Sequence, residues 1–161
     1  MGDGARGRLE FVLNLSQKCQ YAVRAVLELA KQYGQGPIAI NQIASNQVIP
    51  QRFLENILND LKPTGLIESR RGVQGGYLLA RDPAGITVGE VIRSVEGPLD
   101  PVKCITDQSG PCCPLRESCA LIHLWNRAKE AIEAVYDGVS FRDLVEQERA
   151  LNKSAPLDYS I

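Results

Sequence analysis

The apolar residues between Leu15 and Tyr33 recur every three and four positions, which is the spacing of a helix that buries one face. Ser16 can cap the start of this helix, and Gly34 and Gly36 can end it. The pattern therefore predicts an amphipathic first helix. Its apolar stripe consists of Tyr21, Ala22, Ala25, Val26, Leu29, Ala30 and Tyr33.

Two shorter helices are predicted next. The segment AINQIASNQ indicates a helix that stops near Asn46, and PQRFLENILNDLKP indicates another that opens at Pro50, because proline fits the first helical position. Two short helices joined by a tight turn are typical of a helix-turn-helix, and an ordinary helical pair in a small core is the alternative. The face of the second helix opposite its apolar stripe carries Gln51, Arg52, Glu55, Asn56 and Asn59.

A β-hairpin is predicted directly after the helical pair. LIESRR and YLLAR read as strands, and the glycine-rich GVQGG reads as the turn between them, so the three elements together predict a winged helix. Small residues let backbone approach a partner closely, and arginine can enter a minor groove or contact phosphates. A solvated turn is the alternative, but beside a helix-turn-helix the pattern favours DNA contact. The residues concerned are Arg70, Arg71, Gly72, Gly75 and Gly76.

The second half of the chain is predicted to be helical around a proline-rich loop. Thr87 and Glu90 have capping-box spacing and predict a short helix, whereas five prolines and glycines from Pro98 to Pro114 argue against regular structure across most of the following loop. Beyond the loop, one long helix is predicted from about Cys119 to Asp137. Ser140 and Asp143 then cap a last helix, FRDLVEQERALN.

The long helix has a wider apolar stripe than a small core needs. Such a helix commonly forms a dimer seam, and packing onto its own domain is the alternative. The predicted fold is mainly α with a small β-hairpin wing and a long C-terminal dimerisation helix. Its parts are a winged helix-turn-helix at 15–82, a connecting helix and cysteine-rich loop at 83–120, and the dimerisation and C-terminal helices at 121–151. The stripe comprises Leu121, Leu124, Trp125, Ala128, Ile132, Val135 and Tyr136.

Composition and charge narrow the function. The 161 residues are 44% hydrophobic and 23% charged, enough for one good core. A net charge of −1 gives no overall attraction to nucleic acid, so DNA binding must rest on locally placed charge. No apolar run approaches the roughly 20 residues of a membrane span, and the start does not resemble a signal peptide. We therefore expect a cytoplasmic protein, whose thiols are kept reduced.

The segment VKCITDQSGPCCPLRESCALIHLW concentrates soft ligands in one loop. A cysteine cluster in a reducing compartment indicates metal binding or redox chemistry rather than a structural disulfide. The fifth cysteine, Cys19, lies on the first helix. The loop and its flank hold the only histidine, His123, together with Cys104, Cys112, Cys113 and Cys119.

The chain resembles the winged-helix transcription regulators that include IscR, NsrR, RirA and CymR. The likeness runs continuously from Leu15 to Leu151. It implies a homodimeric bacterial regulator, such as a repressor, that binds a palindromic DNA operator, with Glu55 and Asn56 at positions that approach base edges. LSQKCQYAVRAVLELA, FLENILNDLKPTGLIESRRGVQGGYLLARDP, ITVGEVIRSVEG and CALIHLW carry it.

The resemblance also implies an iron-sulfur cluster, either 2Fe-2S or 4Fe-4S, held by Cys104, Cys119 and one of Cys112 or Cys113. The IscR histidine ligand matches Ile122 here, one residue before His123, and one residue turns a helical side chain by about 100°. In some relatives a fourth ligand comes from the partner subunit near the position that matches Gln20. Cys19 precedes that position, so it is either such a ligand or a small buried hydrophobe.

Three functions follow from these observations. The first is a DNA-binding regulator whose cluster senses cluster supply, redox state or nitric oxide. The second keeps DNA binding but makes the cysteines a zinc site or a thiol switch. The third is a regulator that acts through a partner protein and has no cofactor of its own. An enzyme is not expected, because the sequence has no paired carboxylates in a glycine-framed site, no nucleotide-binding loop and no nucleophile with its base.

Overall fold

The computed structural model describes residues 15–106 and 114–154. Cys112 and Cys113, two of the predicted ligands, lie outside the described residues. In chain order the elements are helices α1 (Gln17–Lys31), α2 (Ile40–Gln47) and α3 (Gln51–Leu61), strands β1 (Ile67–Arg70) and β2 (Gly76–Leu79), and helices α4 (Val88–Glu96), α5 (Lys103–Thr106), α6 (Leu121–Asp137) and α7 (Phe141–Ser154).

Helices α1 to α3 and the hairpin form the predicted winged helix. The Ser16 hydroxyl caps α1 by accepting from the Cys19 amide at 3.1 Å. Pro50 differs from its prediction: it is the N-cap of α3 rather than its first residue, because its ψ of 124° is extended. Its carbonyl accepts from the amides of Phe53 and Leu54 at 3.0 Å each, which still makes it the start of the helix.

The wing is a two-stranded antiparallel sheet. Its register pairs Ile67 with Leu79 and Arg70 with Gly76. Ile38, just before α2, adds a bridge to Tyr77 on the free edge of β2. The wing is therefore tied to the segment that opens the helix-turn-helix.

One hydrophobic core joins both halves of the chain. Helix α4 packs on α1, and α7 returns to α1 after the long helix. Phe141 at the start of α7 is completely buried, and its amide donates to the Ile86 carbonyl at 3.0 Å. A fully buried aromatic side chain contributes about 1.5–3 kcal/mol relative to exposure, so α7 is an integral part of the fold.

Of the two capping boxes predicted in the second half of the chain, the one at α7 is complete and the one at α4 forms in part. Ser140 and Asp143 form the reciprocal box at α7: the Ser140 amide donates to the Asp143 carboxylate at 2.9 Å, and the Asp143 amide donates to the Ser140 hydroxyl at 3.2 Å. At α4 the Thr87 hydroxyl accepts from the Glu90 amide at 3.2 Å, but the Glu90 carboxylate pairs with Arg81. The Glu90 carboxylate therefore does not complete the capping box, because it pairs with Arg81 instead.

The cysteine-rich loop is more regular at its ends than predicted. Helix α5 carries Cys104, and a 3-10 turn spans Arg116–Ser118 just before Cys119. Lys103–Thr106 contains no proline or glycine, so one helical turn can form there after Pro101. No helix in 15–106 or 114–154 is both long and apolar enough to span a bilayer.

Candidate functional site

The outer face of α3 presents the polar residues that the sequence pattern singled out. Leu54, Ile57, Leu58 and Leu61 are buried on the opposite face and fix the rotation of the helix. This burial follows directly from the apolar spacing of α3, which leaves the other face to solvent. The residues on that outer face, Gln51, Arg52, Glu55 and Asn56, are all exposed.

The wing exposes two arginines. Arg70 ends β1 and Arg71 begins the turn, and both are exposed. Neither these two arginines nor Arg52 forms an ion pair with any residue in the described ranges. Unpaired guanidinium groups can contact phosphate oxygens without first breaking an internal ion pair. The local positive charge required of a DNA-binding surface is thus present despite the chain's net charge of −1.

The residue that follows α3 contacts the wing. The Lys62 ammonium lies 5.4 Å from the centre of the Tyr77 ring, a cation–π distance. Burial raises the pKa of Tyr77, and the negative charge of Glu55 raises it further. Glu55 on α3 therefore lies near enough to Tyr77 on β2 for its charge to affect that side chain.

The glycines of the hairpin have structural roles that the sequence did not reveal. Gly72 has φ +114° in the turn, a conformation that favours glycine, and its carbonyl accepts from the Gly75 amide at 2.9 Å. A Cβ at Gly75 would lie 2.4 Å from the Arg70 carbonyl oxygen, and a Cβ at Gly76 would lie 2.2 Å from the Ile38 carbonyl oxygen. Close approach to a DNA partner stays a prediction for all three.

The structure places two of the predicted metal ligands at the ends of the loop. Cys104 is exposed on α5, and Cys119 is half-buried just before α6; both thiols are free. Helix α5 lies against α6, and the Lys129 ammonium on α6 holds the Asp100 carboxylate at 2.7 Å. These contacts keep both ends of the cysteine loop beside α6.

His123 and Cys19, the other two predicted ligands in the described residues, do not form a metal-binding cluster with these cysteines. His123 is exposed on α6, and Cys19 is fully buried on α1. Burial raises the pKa of the Cys19 thiol to about 12, with a further contribution from the Glu96 carboxylate. Within the part of the chain that the structure describes, no three His, Cys, Asp or Glu side chains cluster as a metal site.

The long helix leaves its apolar stripe in contact with solvent. None of its residues is buried, and Leu121, Leu124 and Val135 are 53%, 51% and 66% exposed. Its C-terminal end is held to α4 by the Arg93 guanidinium, which donates to the two Asp137 carboxylate oxygens at 2.6 and 3.1 Å. The hydrogen bonds from Arg93 also hold the pKa of Asp137 below its usual range.

The known proteins that this chain resembles in sequence are transcriptional regulators. The model of the family described as "Rrf2: Iron-dependent Transcriptional regulator" matches residues 15–147. The chain is 35% identical over 132 residues to the HTH-type transcriptional regulator CymR of Bacillus subtilis, covering 82% of this chain and 89% of that protein. It is 34% identical over 140 residues to the HTH-type transcriptional regulator IscR of Xenorhabdus nematophila, covering 87% and 84%.

Solved structures show the same similarity in three dimensions. The structure of CymR, the global cysteine regulator of B. subtilis, superposes with a TM-score of 0.69 at 33% identity and covers 84% of this chain and 98% of that one. The structure of T. potens IscR also superposes with a TM-score of 0.69, at 31% identity, and covers 94% and 96%. The winged-helix fold predicted from the sequence is confirmed.

Proposed function

The chain belongs to the Rrf2 family of transcriptional regulators, and we propose that it reads a palindromic operator as a homodimer through α3 and the wing. One observation carries this proposal: α3, which would be the recognition helix, exposes four polar side chains, and the wing that follows it exposes two arginines without an ion pair in the described ranges. Amide and charged side chains can read base edges in the major groove, and arginines can contact phosphates or the minor groove. The family model and the similar proteins are transcriptional regulators, so the chain is a regulator and not an enzyme.

The dimer part of the proposal rests on α6. A 17-residue helix without one buried residue exposes more apolar surface than a monomer normally leaves in water. A second copy of the same stripe would cover it and would set the distance between two recognition helices. Half-sites about one helical turn apart require such a fixed distance.

We further propose that the loop cysteines hold an iron-sulfur cluster. Cys104 and Cys119 fit this use, because both thiols are free and at least partly exposed at the two ends of one loop beside α6. Thiolates are the usual ligands of such clusters, and the third would be Cys112 or Cys113. The description of the family model as iron-dependent and the similarity to IscR support this assignment.

The state of a bound cluster would depend on iron-sulfur supply, redox potential or nitric oxide. The protein would transmit that state through α6. Asp137 fixes the C-terminal end of α6 to α4, whereas the cysteine loop adjoins its N-terminal end. A change in the loop therefore alters the angle of α6 relative to the winged helix, and with it the spacing of the two recognition helices.

A regulator without a cluster is the second candidate. The similarity to CymR, described as a global cysteine regulator, is as high as the similarity to IscR. In this case the loop cysteines would form a zinc site or a reversible thiol switch, or the protein would respond through a partner. Zinc or thiols would leave the purified protein colourless, whereas an iron-sulfur cluster gives it visible absorption.

Anaerobic purification followed by visible absorption and iron and sulfide analysis tests the cluster. The proposal predicts iron, sulfide and visible absorption that are lost in Cys104→Ser and Cys119→Ser and retained in His123→Ala. Cys19→Ala tests the fourth ligand: the burial of Cys19 supports a packing role, under which iron content stays full. A colourless, iron-free protein that stays so after reconstitution and still binds operator would exclude the cluster.

A further inference from the structure

A buried carboxylate lies behind the helix-turn-helix. Glu28 on α1 is 4% exposed. Its carboxylate accepts from Asn46 Nδ2 and Gln47 Nε2 at 2.7 Å each, and from the Lys31 ammonium at 3.1 Å. Because a buried carboxylate without partners is strongly unfavourable, these three donors are needed to keep it in place.

Both amide donors belong to the last turn of α2. Arg24, one turn before Glu28 on α1, contacts the same turn: its guanidinium donates to the Gln47 carbonyl, and its Nε lies 3.4 Å from Gln47 Oε1. A cation at a helix C-terminus satisfies a free carbonyl and complements the helix dipole. Two side chains of opposite charge on α1 therefore hold the end of α2.

This contact lies next to the start of the recognition helix. Only Val48, Ile49 and Pro50 separate the end of α2 from α3, and the Ile49 amide donates to the Ala44 carbonyl at 2.9 Å. A connection this short cannot absorb much movement. If the end of α2 shifts, α3 shifts with it.

The same carboxylate is connected to the C-terminal helix. The Lys31 ammonium, which pairs with Glu28, also pairs with the Glu148 carboxylate of α7 at 2.8 Å. Glu148 is therefore joined to the end of α2 through Lys31 and Glu28. Since α7 follows the exposed helix α6 after only a short connection, these contacts link α2 to the helix that follows α6.

We infer that Glu28 positions the helix-turn-helix for operator binding, and that the Glu28–Lys31–Glu148 triad couples this position to α7. The inference rests on the proposed function, because it assumes that α3 reads the operator. Glu28 itself does not touch DNA in this account. It acts through Asn46 and Gln47, so its loss should reduce sequence-specific binding more than nonspecific phosphate binding.

The test compares two DNA probes. The first is a duplex that the wild-type protein enriches from a randomised library, and the second has the same length and composition in scrambled order. Glu28→Gln keeps the side-chain shape but removes the charge, and it should weaken binding to the enriched duplex about tenfold. Binding to the scrambled duplex should not weaken. A specificity ratio equal to that of wild type, in a variant shown to be folded by circular dichroism, overturns the inference.

Glu148→Gln tests the coupling at the more exposed end of the triad. The Glu148 side chain is 38% exposed and that of Glu28 is 6% exposed, so Glu148→Gln should perturb the fold less than Glu28→Gln does. It should lower the specificity ratio, whereas the charge-matched Glu146→Gln on the exposed side of α7 should not. The double variant Glu28→Gln/Glu148→Gln should lose less than the product of the two single losses, because both act through Lys31. Equal behaviour of Glu148→Gln and Glu146→Gln overturns the coupling.

Asn56→Ala separates this inference from the proposed function. If Asn56→Ala loses specific binding and Glu28→Gln retains it, α3 reads DNA and the positioning role is wrong. If Asn56→Ala retains specific binding, reading by α3 is wrong and the positioning role fails with it.

Discussion

Ile38 and Tyr77 exchange two backbone hydrogen bonds, each 2.8 Å long, and so attach the segment before α2 to the wing. The chain can approach this closely because residue 76 is a glycine. A Cβ there would lie 2.2 Å from the Ile38 carbonyl oxygen, well inside van der Waals contact. The wing and the helix-turn-helix are therefore held together by a contact between backbones.

Gly76→Ala should separate the wing from this segment. We expect the free energy of unfolding to fall by about 1–3 kcal/mol, as for other overpacked sites, because the atoms that must move are backbone atoms. Chemical denaturation followed by circular dichroism measures this loss. Gly85→Ala is the control, since the nearest atom to its Cβ would be the end of the Arg81 side chain at 3.9 Å. Equal stability of the two variants would contradict the account.

Val48 occupies a left-handed conformation at the end of α2. Its φ of 52° and ψ of 50° are unfavourable for a β-branched residue, and its side chain is 79% exposed. Left-handed backbone costs an L-residue roughly 1–2 kcal/mol, which exceeds the entropy that glycine adds to the unfolded chain. Val48→Gly should therefore raise the free energy of unfolding by about 0.5–1 kcal/mol.

Val73→Gly is the matched control for this stabilisation. Val73 is exposed as well, but it lies in the wing turn without a positive φ. Glycine at this position only increases the conformational entropy of the unfolded chain, so the free energy of unfolding should fall slightly. A loss of stability in Val48→Gly similar to that in Val73→Gly would show that the left-handed backbone is not strained.

The sequence was informative where its signals are local. The apolar spacing of α3 determined which of its faces is exposed, and the Ser16 and Ser140 caps follow from residues three positions apart. Both kinds of signal depend on helix geometry alone, so they could be read without knowing the tertiary structure.

Contacts between distant segments could not be read in this way. Glu28 lies between the buried Ala25 and Leu29, and nothing local shows that Asn46 and Gln47 would donate to it. The bridge of Ile38 to Tyr77 involves a single residue, too short for a strand pattern. For Cys19, the sequence left a ligand and a packing role open, and the structure shows its burial but not its use.

The charge of Glu28 should make stability depend on pH. Burial alone would raise its pKa, but hydrogen bonds from Asn46, Gln47 and Lys31 outweigh burial and lower the pKa below 4.5. A lowered pKa in the folded state means that ionised Glu28 stabilises the fold above the unfolded value of 4.5. This stabilisation is lost as the pH falls through the folded pKa.

Glu28→Gln should consequently be less stable than wild type by roughly 1–3 kcal/mol at pH 7. The difference should shrink as the pH is lowered below 4.5. Urea denaturation at a series of pH values measures it, with Glu146→Gln as a charge-matched variant that should stay close to wild type throughout. A difference that does not change with pH would show that Glu28 contributes by packing alone.

Leu124→Glu should abolish the proposed dimer. Leu124 is 51% exposed in the first turn of α6, on the apolar stripe, where a charge would be buried against the partner subunit of the proposed dimer. We expect sedimentation velocity to show monomers with an unchanged helical circular dichroism spectrum. Glu130→Lys reverses a charge at an exposed polar position of the same helix and should remain dimeric. A Leu124→Glu protein that still sediments as a dimer would place the interface elsewhere.

The most direct test of DNA reading by α3 and the wing is fluorescence anisotropy with the enriched and scrambled duplexes at fixed salt. Arg71→Ala and Asn56→Ala should each weaken binding to the enriched duplex by about 1–3 kcal/mol. Arg149→Ala removes the same charge as Arg71→Ala from the exposed surface of α7, and it should bind as wild type does. Wild-type affinity for the enriched duplex in both Arg71→Ala and Asn56→Ala would contradict the account.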